Sequence, residues 1–197
     1  MKNRLIPILL VFIIFAGCVG TASTGIFGTG VSIAIDPRSV GTQIDDSVMQ
    51  KSLSARILLR NKNYLLTLNT KVLDGRIFIT GKVPNPEEKL QITKLAWETK
   101  GARSVKNAIT IKGQSSFKGT AKDILITSQL RSALIFNKKT KSRNYTLETI
   151  NKNIYIFGIA MNDDEKKEVI DEANKIYDVE EIFPSIYLAT ELSRNKL

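Results

Sequence analysis

The sequence predicts an α+β protein of two tandem units, each running helix, strand, strand, helix, strand, with two helices packed on a small three-stranded mixed sheet. Three observations lead there. Displacing the chain by 77 residues aligns 45–111 with 122–188 without a gap. Asp46/Asp123, Leu53/Leu130, Ile77/Ile154, Ile79/Ile156, Gly81/Gly158, Asn85/Asn162, Glu88/Glu165, Ala96/Ala173 and Ile109/Ile186 are among the identical pairs. Two copies of so long a period indicate a duplicated small domain rather than a solenoid. In both copies, apolar spacing also changes from every three or four residues to alternation at matching points.

The amino end reads Met1-Lys2-Asn3-Arg4, then an apolar run from Leu5 to Ala16 broken only by Pro7, then Gly17-Cys18. Two cations before about a dozen apolar residues form a secretory leader, 1–17, too short to span a bilayer, which needs ~20 residues. Phe15-Ala16-Gly17-Cys18 resembles the bacterial lipobox, which makes Cys18 the expected lipidation site; Val19, in place of Asp, favours the outer membrane by the same resemblance. Residues 18–44 read as a lipidated tether and lead-in, with Gly20, Gly25, Gly28 and Gly30 among small residues.

The first unit, 45–112, opens with a helix from Asp45 to Arg60, where Met49, Leu53 and Ile57 make one stripe. Loose alternation from Tyr64 to Leu73 predicts a strand, Asp74-Gly75 a hairpin turn, and Ile77 to Ile79 the returning strand before Gly81. Asn85-Pro86-Glu87-Glu88 starts the second helix by capping, Ile92, Leu95 and Ala96 face inward, and Gly101 stops it. A last strand contains Val105, Ile109 and Ile111. Residues 113–119 form the linker. The second unit, 120–189, repeats this order with a helix over 120–137, strands at 145–150 and 153–160, a helix over 163–177 and a strand over 180–189; residues 190–197 form a tail.

With no His and one Cys in 197 residues, Ser-His-Asp, Cys-His and HExxH mechanisms and internal disulfides are excluded. The acid pairs Asp45-Asp46, Glu87-Glu88 and Asp163-Asp164-Glu165 sit at expected helix starts, where capping and the helix dipole account for them. No cofactor and no small-molecule substrate are expected. The formal charge is +10 and stays at +8 without the leader, which fits an anionic partner: lipid, cell-wall polymer or acidic protein. Nucleic acid does not belong in a periplasmic compartment.

The element order, the two glycines ending the second strands and the duplication resemble the BON domain family. The lead-in from Asp36 to Asp46, behind a lipobox and tether, resembles the dual BON-domain outer-membrane lipoproteins. That resemblance implies a non-enzymatic, lipid-anchored protein facing the periplasm that supports envelope integrity, has an outer-membrane or division-site protein as a partner, and binds anionic phospholipid through the first helix of its second domain. Carried onto this chain, the binding residues are Lys122, Ile124, Leu125, Ser128, Arg131, Ser132, Lys138 and Lys139; a Trp of those lipoproteins is Leu125 here. On that helix Ile126, Leu130, Ala133 and Leu134 make the inward stripe and leave Ile124 and Leu125 off it, and Arg131 to Arg143 runs without an acid. The rival reading is an adaptor for another envelope protein or peptidoglycan, working mainly through the first unit, where residues 45–111 carry twelve cations and six anions, +6 against −1 for 120–189.

Overall fold

The computed structural model describes residues 36–113 and 117–193. The expected leader, Cys18 and the tether up to residue 35 lie outside them, as do 114–116 of the linker and 194–197 of the tail. The first unit comprises α1 (Val40–Arg60), α2 (Tyr64–Thr67), β1 (Leu68–Leu73), β2 (Arg76–Val83), α3 (Pro86–Trp97) and β3 (Ser104–Ile111). The second comprises α4 (Phe117–Phe136), a 3-10 turn at Ser142–Asn144, β4 (Tyr145–Ile150), β5 (Asn153–Ala160), α5 (Asp163–Asn174), β6 (Glu181–Leu188) and a closing 3-10 turn at Ala189–Glu191. In each sheet the middle strand pairs antiparallel with its hairpin neighbour and parallel with the strand that follows the second helix.

Six boundaries differ from the sequence reading: β2 runs through Gly81 to Val83 rather than ending before it, α5 stops at Asn174 rather than at residue 177, and four others follow. Helix α1 starts at Val40 rather than Asp45, because Ser39 caps it by accepting from Thr42 N–H, so the end of the 18–44 segment is helical rather than tether. Ahead of it, the Arg38 guanidinium is clamped by Asp36 and Asp46. Tyr64 to Thr67 is a helical turn rather than strand; it begins where Tyr64 N–H bonds back to the Asn61 carbonyl, and Tyr64 enters the core. Helix α4 starts inside the 113–119 segment, at Phe117. The 190–197 tail is not free throughout either: Leu192 is 1% exposed.

The 77-residue offset survives position by position in the cores. Met49, Leu53 and Ile57 of α1, Ile92 and Ala96 of α3, and Ile77, Ile79, Val83 and Ile109 of the sheet are matched by Ile126, Leu130, Leu134, Val169, Ala173, Ile154, Ile156, Ala160 and Ile186. Units of this size are marginal alone. A third cluster joins them across the opposite sheet faces: Leu73, Phe78 and Ala108 against Phe157, Ile159 and Leu192. Phe78 stacks on Phe157 at 5.1 Å, Phe157 meets Tyr187 edge-on, and the Arg76 guanidinium lies 4.1 Å over the Tyr187 ring. The layers therefore run helices, sheet, sheet, helices, and the two helical layers face in opposite directions.

Sheet edges are blunted by sequence. The Asn107 side chain accepts from the Ile109 N–H at 2.8 Å on the outer edge of β3. Its counterpart in β6 is Pro184, which has no N–H to offer. Strand addition by a partner is opposed at these two edges; β1 and β4 form the other edge of each sheet.

Candidate membrane-docking face

Helix α4 is apolar on two sides. Ile126, Leu130 and Leu134 point into the core, while Ile124 and Leu125 are 63% and 57% exposed, as the sequence spacing required. Lys122, Ser128, Arg131, Ser132, Lys138 and Lys139 are exposed too. Sequence reasoning missed Ile135 and Phe136, exposed at 59% and 83%. They follow Ile124 and Leu125 by eleven residues, three helical turns, which returns them to the same face about 16 Å further along; that spacing was the available signal. The outward face thus has an apolar pair at each end and Ser128, Gln129 and Ser132 between, with no acid among them. Ile124 and Ser128 also border a cleft of about 250 Å³ whose far wall is Gly81, Lys82 and Thr110 of the first unit.

The cations are less segregated in space than in sequence. Asn137 at the end of α4 donates to Glu168 and Glu172, bringing the acidic helix α5 alongside. As a result Lys139 pairs with Glu168 at 3.2 Å, and Lys122 with Asp178 at 2.8 Å. Hydrogen bonds from Lys122 and then Lys152 hold the Asp178 carboxyl below its ordinary range. Arg131 and Lys138 form no ion pair among the described residues. Glu148, beneath Arg131, has its pKa raised by burial, which Arg131 opposes.

One carboxylate of each acid cluster at the expected helix starts has a structural partner. Asp46 is not at the start of α1 but nearly two turns further in, buried, where it accepts the Asp74 and Gly75 N–H groups of the β1–β2 turn as well as Arg38. Asp123 does the same for Asn151 and Lys152. Glu88 takes Arg60, whose hydrogen bond lowers its pKa. Glu165 accepts from the Lys141 and Met161 N–H groups while Asn162 caps its own. Among the described residues no three metal-ligating side chains cluster, and no helix is long and apolar enough to cross a membrane.

On the opposite helical layer, Leu58, Leu59, Leu65 and Leu66 are all exposed at the junction of α1 and α2. Leu58 and Leu59 correspond to the exposed Ile135 and Phe136 of the second unit, whereas the positions of Leu65 and Leu66 are Ser142 and Arg143 there, so only the α2 half of this patch is particular to the first unit.

The chain is 27% identical over 176 residues to the outer membrane lipoprotein DolP of Haemophilus influenzae, spanning 86% of this chain and 88% of that one. It is also 27% identical over 62% of its length to an uncharacterized protein of Anaplasma centrale, covering 82% of it. A third relative, a 21 kDa hemolysin of Actinobacillus pleuropneumoniae, is 25% identical over 63% of this chain and 64% of its own. The BON domain model matches twice, over residues 45–113 and 122–184, once for each of the two sheets with their helices, and the chain therefore belongs to the BON domain family.

Proposed function

We propose that this chain is an outer-membrane lipoprotein, acylated at Cys18 and facing the periplasm. It carries out no reaction, docks to anionic phospholipid through α4, and supports envelope integrity, including at division sites. The observation that carries the reading is the outward face of α4: four large apolar side chains at its two ends, no acid between them, and Arg131 and Lys138 without ion pairs. Fully burying one such side chain contributes about 1.5–3 kcal/mol, and each cation near an anionic surface about 1 kcal/mol. Partial immersion supplies a fraction of the first term, so the face binds weakly alone; an acyl anchor holds it at high local concentration. The likeness to DolP, named an outer membrane lipoprotein, supports the same location.

The test is vesicle flotation with protein lacking residues 1–18. Binding to phosphatidylglycerol vesicles, reversed by salt, is expected, with little binding to phosphatidylcholine; equal binding to both removes the electrostatic part of the reading. Leu125→Asp and Phe136→Asp each lower the affinity at least tenfold with an unchanged circular dichroism spectrum, and retention of binding by both rules out α4. Conversely, Asp178→Asn releases Lys122 from its exposed ion pair and tightens phosphatidylglycerol binding by up to about fivefold, the range of such a pair.

The exposed leucines of α1 and α2 favour a second reading, an adaptor role for the first unit toward another envelope protein or peptidoglycan, because they lie on the layer turned away from α4. Crosslinking in intact envelopes tests it: one dominant adduct, lost in Leu59→Asp with Leu66→Asp, supports this role, and an unchanged adduct pattern refutes it.

A further inference from the structure

A second groove opens between the two domains, distinct from the α4 face. It holds about 300 Å³ and is lined by Asp36, Pro37, Arg38, Lys71 and Leu73 of the first domain and by Arg143, Asn144, Tyr145, Thr146 and Ile159 of the second. That volume is at the lower bound of small-ligand pockets, ~300–1,000 Å³.

Strand register explains why cations gather there. Lys71 is two residues before Leu73, so it shares the sheet face that Leu73 turns toward the second domain, and it pairs across the ladder with Phe78 of the interdomain stack. Thr146 pairs with Phe157, the other ring of that stack, and so faces the same seam from the opposite side. Arg143 stands in the 3-10 turn just before β4. Docking of the domains therefore brings an ammonium and a guanidinium to one opening.

Their charges are only partly offset, because Arg38, Asp36 and Asp46 together carry a net charge of −1 against these two cations. Asp36 is consumed: Oδ1 accepts from the Arg38 backbone N–H and Nε, and Oδ2 from Nη2. Arg38 spends its remaining nitrogen, Nη1, on Asp46 and the Val72 carbonyl. Lys71 and Arg143 have no carboxylate partner among the described residues. Two like charges lining one opening repel each other, and an anion between them relieves that repulsion. The arrangement is also particular to this mouth of the seam, since the counterpart of Lys71 in the second domain is Glu148 and that of Arg143 in the first is Leu66.

We infer that this groove is a binding site for a phosphate group, held by Lys71 from one domain and Arg143 from the other, with the Thr146 hydroxyl as a third donor. A guanidinium offers two parallel N–H donors to phosphate oxygens and an ammonium adds a point charge, so a tetrahedral anion can be gripped from both walls at once. Such a ligand ties the domains together, and its binding stabilises the docked arrangement. The phosphate can belong to a soluble compound or to a lipid headgroup.

The experiment uses the full chain in neutral detergent micelles, titrated with pyrophosphate against sodium chloride at matched ionic strength, and reads the unfolding midpoint and 31P line broadening. A rise in midpoint specific to pyrophosphate is expected, with apparent affinity reduced at least tenfold in Lys71→Ala and in Arg143→Ala, and retained within threefold in Lys71→Arg. No rise beyond the chloride control, or a rise that survives in the double alanine variant, overturns the site. Should a variant fold poorly, broadening of the pyrophosphate signal by the unaltered chain, and its absence in Arg143→Gln, decide the question. Phosphatidylglycerol nanodiscs separate the sources: weaker binding by Lys71→Ala with Arg143→Ala points to a headgroup, and unchanged binding beside lost pyrophosphate binding points to a soluble phosphate. Because Leu125→Asp acts on α4 and leaves the groove intact, it lowers vesicle binding without altering the pyrophosphate response, so either reading can fail alone.

Discussion

Replacing Gly81 with Ala is expected to destabilise the first domain by about 2–6 kcal/mol, a large part of the ~5–15 kcal/mol that holds a typical domain together. Two separate effects add. Gly81 has φ +124°, a backbone conformation that L side chains rarely adopt, costing about 1–3 kcal/mol. An added Cβ would also run into the Thr67 carbonyl oxygen and the Leu68 backbone, where α2 feeds into β1 across from Gly81, and overpacking of that kind costs a further ~1–3 kcal/mol. Backbone cannot swing aside as a side-chain end can. Gly158 occupies the same place opposite Tyr145, and its Cβ would meet the Asn144 carbonyl and the Tyr145 ring, yet its φ is not in the positive region. Gly158→Ala should therefore cost only the packing part, about 1–3 kcal/mol. Urea unfolding of the two variants reads the difference directly; equal losses would refute the backbone-strain component.

The same pair of glycines shows what the sequence could and could not disclose. Their identical place in the duplication was visible, as were the paired core positions, because one face of a helix and one face of a strand leave a periodic trace. What the period cannot carry is a contact between distant segments. Nothing in the local pattern of Ser39 to Arg60 reveals that Asp46 reaches the β1–β2 turn, and an acid near an expected helix start reads most simply as a cap. Tyr64, Leu66 and Leu68 alternate like a strand, yet the turn at Asn61 bends the chain into α2 first. For the candidate membrane face, exposure of Ile124 and Leu125 followed from helical geometry, whereas the capture of Lys139 by Glu168 of α5 and of Lys122 by Asp178 of the turn after α5 arises from tertiary packing beside α4. The groove at Lys71 and Arg143 depends on docking of the two sheets, which no property of either repeat alone specifies.

Asp46→Ala is the second substitution with a large expected effect, about 3–5 kcal/mol, the cost of removing one partner from a buried ion pair. Asp46 is buried, and its two oxygens accept the Asp74 N–H at 2.6 Å, the Gly75 N–H at 2.8 Å and Arg38 Nη1 at 2.7 Å. Removing the carboxylate leaves two N–H groups of the turn without an acceptor and halves the acid available to a half-buried guanidinium. The damage extends beyond the turn, since Asp74 gathers Arg76, Arg103 and Ser193, and Ser193 follows Leu192, which lies in the interdomain cluster. Loosening the turn therefore loosens the seam between the domains. Asp123→Ala offers the internal control: Asp123 accepts from Asn151 and Lys152 N–H groups and, among the described residues, pairs with no arginine, so a smaller loss of about 1–3 kcal/mol is expected. Asp46→Ala, but not Asp123→Ala, should also speed amide hydrogen exchange at Leu192 and Ser193. If the two variants lose equal stability and exchange at those amides is unchanged, then Asp46 serves its own turn only and has no part in holding the domains together.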